Sequence, residues 1–354
     1  MKKAAILTIT NSGLNFGNRL QNYALQEALK ECGFEVETIQ SAKSVRKSKQ
    51  LSAVRWIVKN VAKNDKRRKC FRKFNHNYIR FAKCIRYENV NENEFADQYD
   101  AFVAGSDQVW NPNFHFNSDF EFASFAPESK RFSYAASVGV STIKEEHRDN
   151  FIKNVKGMRT LSVRELDSVG LIETLTGRKP EVHIDPTMLL DRQLYRQIEE
   201  MPSQGLPDKY LLVYFLGIVP SEYRDKINKL AEQLHLEIVE LSESKGTKYY
   251  EIGPQHFLYT INHADYICTD SFHGSVFSIL FQKQFSIFSR TDDNVPMNSR
   301  IDTLVNKFGL RERLAKELDV EDALKMIDYV KVNEVLALER KKSMNYLKMI
   351  CQMQ

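Results

Sequence analysis

The 354 residues contain no two cysteines close together: Cys32, Cys70, Cys84, Cys268 and Cys351 are scattered along the chain. That excludes a zinc knuckle and a CxxC redox pair, and fits thiols kept reduced. No apolar run approaches the roughly 20 residues that a spanning helix needs. The opening MKKAAILTIT lacks a small-residue cleavage site and reads as a first strand rather than a signal peptide. Neither GxGxxG nor GxxxxGK[ST] occurs, so nothing announces a dinucleotide or P-loop site. Glycine (14) and proline (9) are sparse, and repeats and low-complexity tracts are missing, which removes the fibrous and disordered classes. No metal site and no nucleic-acid partner is expected.

What is present is the composition of a globular protein, 42% hydrophobic and 27% charged. The length exceeds what one hydrophobic core usually organises, so two domains are expected. The net charge of +5 hides an asymmetry: positions 43–86 hold 16 Lys or Arg against one acid, Asp65, a local balance of +15 that leaves −10 for the rest. Such a block is either a solvated helical face or a surface for an anionic membrane or acidic substrate. The expected location is cytoplasmic, and peripheral at the inner membrane face only if 43–86 is such a surface rather than the favoured solvated face.

Short β-branched runs alternate with helical periodicity, the pattern of parallel sheets covered by helices. In the first half, strands are expected at Ala4–Thr10, Glu35–Ile39, Ala101–Ala104, Phe132–Ala135 and Leu161–Val163, with a helix over Gly17–Cys32. A second series has strands beginning at Tyr210 and at Leu236–Leu241, Tyr266–Thr269 and Phe285–Phe288, with a helix near Gly274–Phe281. Three prolines and one glycine between Asp185 and Pro207 read as a connector. The expected division is 1–195, 196–330 and a helix over 331–354 that packs back on the first domain or mediates self-association.

Ligands of open α/β sheets gather at the carboxyl ends of strands, and four polar turns occupy such places. In NSGLNFGNRLQNYALQEAL, Gly13 and Gly17 bracket a strand-to-helix turn, and Asn15, Asn18 and Gln21 bring amides to the helix start. In AFVAGSDQVWNPNF, a strand ends in Gly105, Ser106 and Asp107, with Trp110 nearby. The carboxylate suits a sugar hydroxyl and the indole a sugar face, although Asp107 also suits a helix cap. In LSVREL, Arg164 leaves a strand with a permanent charge that can hold a carboxylate or phosphate with two bonds.

The most specific turn is ADYICTDSFHGSVFSILF, where a strand ends in Thr269, Asp270 and Ser271 and a helix opens at His273 and Gly274. A helix start presents unpaired N–H groups and positive partial charge. Ser271 and Ser275 add hydroxyls, and histidine is the side chain that ordinarily titrates near neutrality. Cys268 is a nucleophile only if exposed, and its apolar run favours a buried strand residue. Asn298 and Arg300 either complete an anion site or cap the next helix. His183 reads as finishing a strand.

Taken in order, NFGNRLQNYALQEAL, GSDQVWN, SYAASVG, LSVRE, IDPT, TDSFHGSVFSILF and NSRI resemble the polysaccharide pyruvyl transferase family, from about Ala4 to about Leu310. The resemblance implies an α/β fold of two Rossmann-like domains facing across a cleft, GT-B-like. It implies transfer of the enolpyruvyl group of phosphoenolpyruvate to a saccharide, often lipid-linked, giving a pyruvate ketal and phosphate for capsule, exopolysaccharide or cell-wall polymer. No cofactor beyond the donor substrate is implied. Arg164 and His273 match the residues that the family uses toward phosphoenolpyruvate. Asp107 is then the expected base or orienter of the acceptor. Ser271, Gly274, Ser275, Asn298 and Arg300 are expected to bind the donor anion; Asn15, Gly17, Asn18, Gln21, Ser106 and Trp110 are expected to bind the acceptor. Two rivals remain open: a GT-B glycosyltransferase using a nucleotide sugar, and a non-catalytic binder of acidic glycans.

Overall fold

The computed structural model describes residues 1–10, 13–40, 65–82, 92–114, 119–242, 244–290, 298–315 and 320–353. The expectation for the basic segment 43–86 thus falls largely outside the described residues. The chain divides into two compact units, one formed by Met1–Leu190 with Glu339–Gln354 and the other by Asp191–Leu338.

Unit 1 is built on parallel strands β1 (Lys2–Leu7), β2 (Phe34–Thr38), β3 (Ala101–Ala104) and β4 (Arg131–Ser133), in the order β2-β1-β3-β4. A parallel pair, β5 (Ser162–Val163) and β6 (Glu181–Val182), continues it through bridges Phe132–Thr160 and Ala136–Val163. The stretches Ala101–Ala104 and Ala4–Leu7 are apolar without alternation and almost wholly buried, as parallel strands covered on both faces must be. The chain leaves β1 toward β2 and leaves β3 toward β4. The reversal opens a crevice at the carboxyl ends of β1 and β3, where such sheets bind ligands.

The helix Phe16–Glu31 lies between β1 and β2. Its apolar positions Leu20, Ala24, Leu25, Ala28 and Leu29 are fully buried. Asn15 starts it, the side-chain oxygen accepting from the Asn18 N–H at 3.0 Å. In the basic segment, the described helix Lys66–Tyr78 buries Phe71 and Phe74. It also buries Arg67, whose guanidinium lies 4.7 Å from the Phe16 ring and donates to the Leu14 carbonyl. Lys66, Arg68, Lys69, Arg72 and Lys73 are not among its buried residues.

The last helix, Tyr329–Gln352, contributes its second half to unit 1. Arg340 donates to the carbonyls of Met188 and Leu190 at 2.6 Å each, and the Tyr346 hydroxyl donates to the Ser133 carbonyl at 3.0 Å. His183 is fully buried between the rings of Tyr134 and Tyr346, its Nδ1 2.8 Å from the Ser162 hydroxyl.

Unit 2 repeats the plan with β7 (Tyr210–Tyr214), β8 (Glu237–Leu241), β9 (Tyr266–Thr269) and β10 (Gln284–Ile287), all parallel in the order β10-β9-β7-β8. Its reversal falls between β7 and β9. The fold is therefore α/β with parallel sheets. The strands lie within three residues of their sequence positions, and β6 is the short strand that His183 is read as finishing.

Two glycines set the strand exits. Gly105, at φ +130°, turns the chain out of β3 so closely beneath the next strand that a Cβ would stand 2.1 Å from the Tyr134 carbonyl oxygen. Gly274 presses the helix Phe272–Leu280 onto β9, where a Cβ would meet Thr269 Oγ1 at 2.4 Å. Backbone cannot yield as a side-chain tip can. Gly105→Ala should therefore destabilise the protein by roughly 2–5 kcal/mol, overpacking added to a disallowed conformation. Thermal unfolding followed by circular dichroism measures this, and an unchanged midpoint would contradict the close approach.

Candidate functional site

The crevice of unit 1 is organised around the Arg164 guanidinium. Arg164 leaves β5 with its guanidinium buried, and Nη1 donates to Asp185 Oδ2 at 2.6 Å while Nη2 lies 3.4 Å from Asp107 Oδ1. Burial by itself would favour the neutral form. The charges of Asp185, then Asp107 and Glu165, outweigh it and hold the guanidinium above its ordinary pKa. Arg164 is thus a fixed charge throughout the physiological pH range.

Each carboxylate is itself held. Asp185 is buried, and its Oδ1 accepts from the N–H of Thr187 at 3.0 Å and from the Thr187 hydroxyl at 2.7 Å. The Ser106 hydroxyl reaches its Oδ2 at 3.3 Å. Asp107, three residues past the end of β3, stands at φ +65°, a conformation that Asp tolerates better than most residues and that recurs at functional sites. Its Oδ1 accepts from the Gln108 N–H at 2.9 Å, and Asn18 Nδ2 lies 3.4 Å from Oδ2. Its side chain is 15% exposed, against 2% for Arg164 and none for Asp185.

A third buried carboxylate fixes the surrounding loop. Glu165 Oε1 accepts from the hydroxyls of Ser137 and Ser168 and from the N–H groups of Val138 and Gly139, at 2.8 to 3.2 Å. Ser137 in turn bonds through its N–H to the Asp107 carbonyl at 2.9 Å. The SYAASVG stretch therefore sets the backbone from which Asp107 projects.

Asn18, Gln21, Ser106, Asp107 and Arg164 come together here, but with different tasks. Gln21 is fully buried, donating to the Thr8 hydroxyl and accepting from the Ser106 N–H. Ser106 is equally buried, and its hydroxyl goes to the Ala135 carbonyl at 2.9 Å as well as to Asp185. Both brace the strand ends, which corrects the expectation that they contact an acceptor. Asn15 is a helix cap and Gly17 is buried in the helix it starts.

Trp110 requires a firmer correction. It has no exposed surface, stacks on Phe122 at 5.1 Å and donates its indole N–H to the Glu121 carbonyl. Its faces belong to the core formed with Val109, Val138 and Phe151, so no sugar can stack on it.

Asp185 was legible as the start of a connector and within the IDPT stretch of the family resemblance, but not as a partner of Arg164. Its signal was there: Asp before Pro and Thr is a capping turn, and this one closes on a buried charge.

In unit 2, the crevice at β7 and β9 is braced by Asp270, which accepts from the Leu216 N–H at 2.8 Å and stands 3.6 Å from Arg290 Nε. His273 is the second residue of the helix Phe272–Leu280, 5.3 Å from the Phe272 ring centre. The Arg300 guanidinium lies 6.0 Å from the same Phe272 ring. His273 and Arg300 thus both lie against the Phe272 ring at a helix start, a setting suited to an anion.

Three expected ligand groups are engaged elsewhere. Ser271 is the cap, its hydroxyl oxygen accepting from the Gly274 N–H at 3.2 Å. The Ser275 hydroxyl donates to the Ser271 carbonyl at 3.1 Å. Ser271, Gly274 and Ser275 therefore shape the helix start rather than offering donors from it. Asn298 opens the helix Asn298–Phe308, and its side chain lies outside the described residues. Among the described residues no group of three or more His, Cys, Asp or Glu could hold a metal ion, and no helix is long and apolar enough to cross a membrane.

A family model described as polysaccharide pyruvyl transferase matches residues 15–292. Among solved structures, the chain is similar to the UDP-GlcNAc 2-epimerase of Neisseria meningitidis bound to UDP-GlcNAc, at 9% identity and TM-score 0.46, covering 100% of this chain and 99% of that one. It is similar also to the E. coli ADP-heptose LPS heptosyltransferase II, at 11% identity and TM-score 0.36, covering 96% and 99%. No curated protein matches it.

Cys268, in the middle of β9, is fully buried, and desolvation pushes its thiol far above the ordinary range. It is no nucleophile. Iodoacetamide at pH 8 should leave Cys268 unmodified in the native protein and alkylate it after denaturation, as read by peptide mass spectrometry. Native labelling within minutes would contradict its burial.

Proposed function

Because this chain belongs to the polysaccharide pyruvyl transferase family, we propose that it moves the enolpyruvyl group of phosphoenolpyruvate onto a saccharide, closing a pyruvate ketal across two hydroxyls and releasing phosphate. The observation that carries this reading is a permanent guanidinium, Arg164, fixed at the carboxyl ends of the unit 1 strands beside the partly exposed carboxylate of Asp107.

The reaction makes two demands that these residue types answer. Carbon 2 of the donor becomes electrophilic as carbon 3 takes a proton, so the donor must be held by its anionic groups and a proton must be supplied. Arg164 is assigned to the donor carboxylate, and His273 to the donor phosphate or the proton for carbon 3, with Arg300 near it. As the acceptor oxygen bonds to carbon 2, its hydroxyl proton passes to Asp107. The second hydroxyl then attacks the same carbon, and phosphate leaves with the electrons of the broken C–O bond and takes up the proton that this hydroxyl gives up. Trp110 has no part in this scheme, and the seryl and glutaminyl groups of the two crevices act by fixing backbone.

A helix start also suits the diphosphate of a nucleotide sugar, so the experiment carries both donors. Purified protein incubated with phosphoenolpyruvate and a panel of saccharides should release inorganic phosphate and yield a product heavier by one ketal-linked pyruvate in mass spectrometry. Arg164→Ala and His273→Ala should each lower that rate at least about 100-fold. Release of a nucleoside diphosphate from a nucleotide sugar, with phosphoenolpyruvate untouched, would replace the reading by a glycosyltransferase. Undiminished phosphate release in both variants would overturn the roles given to Arg164 and His273.

A further inference from the structure

The two carboxylates on Arg164 grip it unequally. Asp185 is at 2.6 Å, has no exposed side-chain surface, and is locked by two bonds from Thr187 and one from Ser106. Asp107 is at 3.4 Å, is partly exposed, and meets Asn18 only at a further 3.4 Å. The adjacent Gln108 N–H holds it at 2.9 Å. Two carboxylates on one guanidinium leave the cluster net negative, which opposes the approach of an anion. The guanidinium is itself 2% exposed, and of its two partners Asp107, at 15%, is the one that reaches solvent, while Asp185 does not.

We propose that Asp107 is an exchangeable counter-ion: an incoming carboxylate or phosphate takes its place on Arg164 Nη2, while Asp185 stays and fixes the guanidinium for it. Asp185 is thus a positioning residue. The proposal rests on the reading of Arg164 as a donor-anion group and adds a sequence of events to it. The carboxylate that neutralises Arg164 in the empty enzyme is set free by the donor, and only then can it receive the proton of an acceptor hydroxyl. The donor adds first.

The arrangement gives the two aspartates opposite signs. Asp107→Asn keeps a residue that tolerates φ +65° and an oxygen for the Gln108 N–H, but removes the competing charge. It should bind phosphoenolpyruvate about tenfold more tightly in calorimetric titration, the effect of removing one like charge a few ångströms from the ligand. In turnover, KM for phosphoenolpyruvate should fall together with kcat, a pairing that a merely structural role for Asp107 would not produce.

Asp185→Asn should weaken the same binding about tenfold or more, because a buried guanidinium loses its fixed partner. Should that variant fold poorly, Thr187→Val removes only one bond to Asp185 and should weaken binding about threefold, with the melting profile retained. Asp185→Glu should not restore tight binding, since the longer side chain cannot keep both the Thr187 turn and the guanidinium. Inorganic phosphate titrated in place of phosphoenolpyruvate should follow the same order of variants.

Phosphoenolpyruvate binding that is unchanged or weaker in Asp107→Asn overturns this proposal and leaves the donor reading standing. Absence of phosphoenolpyruvate binding in both the wild type and Asp107→Asn overturns the donor reading and this proposal together.

Discussion

A guanidinium buried to this degree is tolerable only when its charge is met and its N–H groups are directed, since an uncompensated charge in the interior is among the most costly things a fold can contain. The pair formed by Arg164 and Asp185 is the constraint on which the carboxyl end of the unit 1 sheet depends. Thr187 and Ser106 hold Asp185 in place, Gln21 fixes the Ser106 N–H, and Thr8 ties Gln21 to the end of β1. From one ion pair, hydrogen bonds therefore extend across the ends of β1 and β3 to the start of the helix Phe16–Glu31. Buried pairs of this kind contribute little net stability, but they define geometry, because losing either partner strands the other.

Unit 2 solves the same topological problem with a different set of bonds. Its reversal between β7 and β9 is closed by Asp270 accepting from the Leu216 N–H, and its helix start is capped by Ser271. Gly274 lets that helix sit directly on Thr269. The polar residues that look most like ligands in sequence are thereby used up in building the turn. What remains for chemistry is the imidazole of His273, and Arg300 meets the ring of its neighbour Phe272. In both units the backbone scaffold and the chemistry-bearing side chain are adjacent in sequence, for the reason that a strand exit must be both shaped and occupied.

Much of the fold was readable from period alone. Apolar β-branched runs marked β1, β3, β7 and β9, because parallel strands are buried on both faces and cannot alternate. The two-residue strand Glu181–Val182 was readable only through His183 at its end, since no apolar run marks it and its pairing lies with β5. Asp107 and Arg164 were legible as polar residues leaving apolar runs. Asp185 stood out within IDPT but not as the partner of Arg164, because a prolyl turn has the composition of a linker and burial is a tertiary fact. Trp110 failed for the converse reason: an indole near a polar turn suggests a sugar platform, but the ring of Phe122 already covers it. Sequence spacing locates a strand exit, and only packing tells which of its side chains turn inward.

The most direct test of the central claim observes the guanidinium itself. With arginine side chains labelled by 15N, the Arg164 resonances can be assigned through their loss in Arg164→Lys and followed during addition of phosphoenolpyruvate at constant ionic strength. A guanidinium held between two carboxylates and handed to a donor should show slowly exchanging Nη protons in the free protein, and its Nη2 signal should shift on saturation while Nη1 stays close to its starting position. Saturating phosphoenolpyruvate that leaves every Arg164 resonance in place would contradict the account.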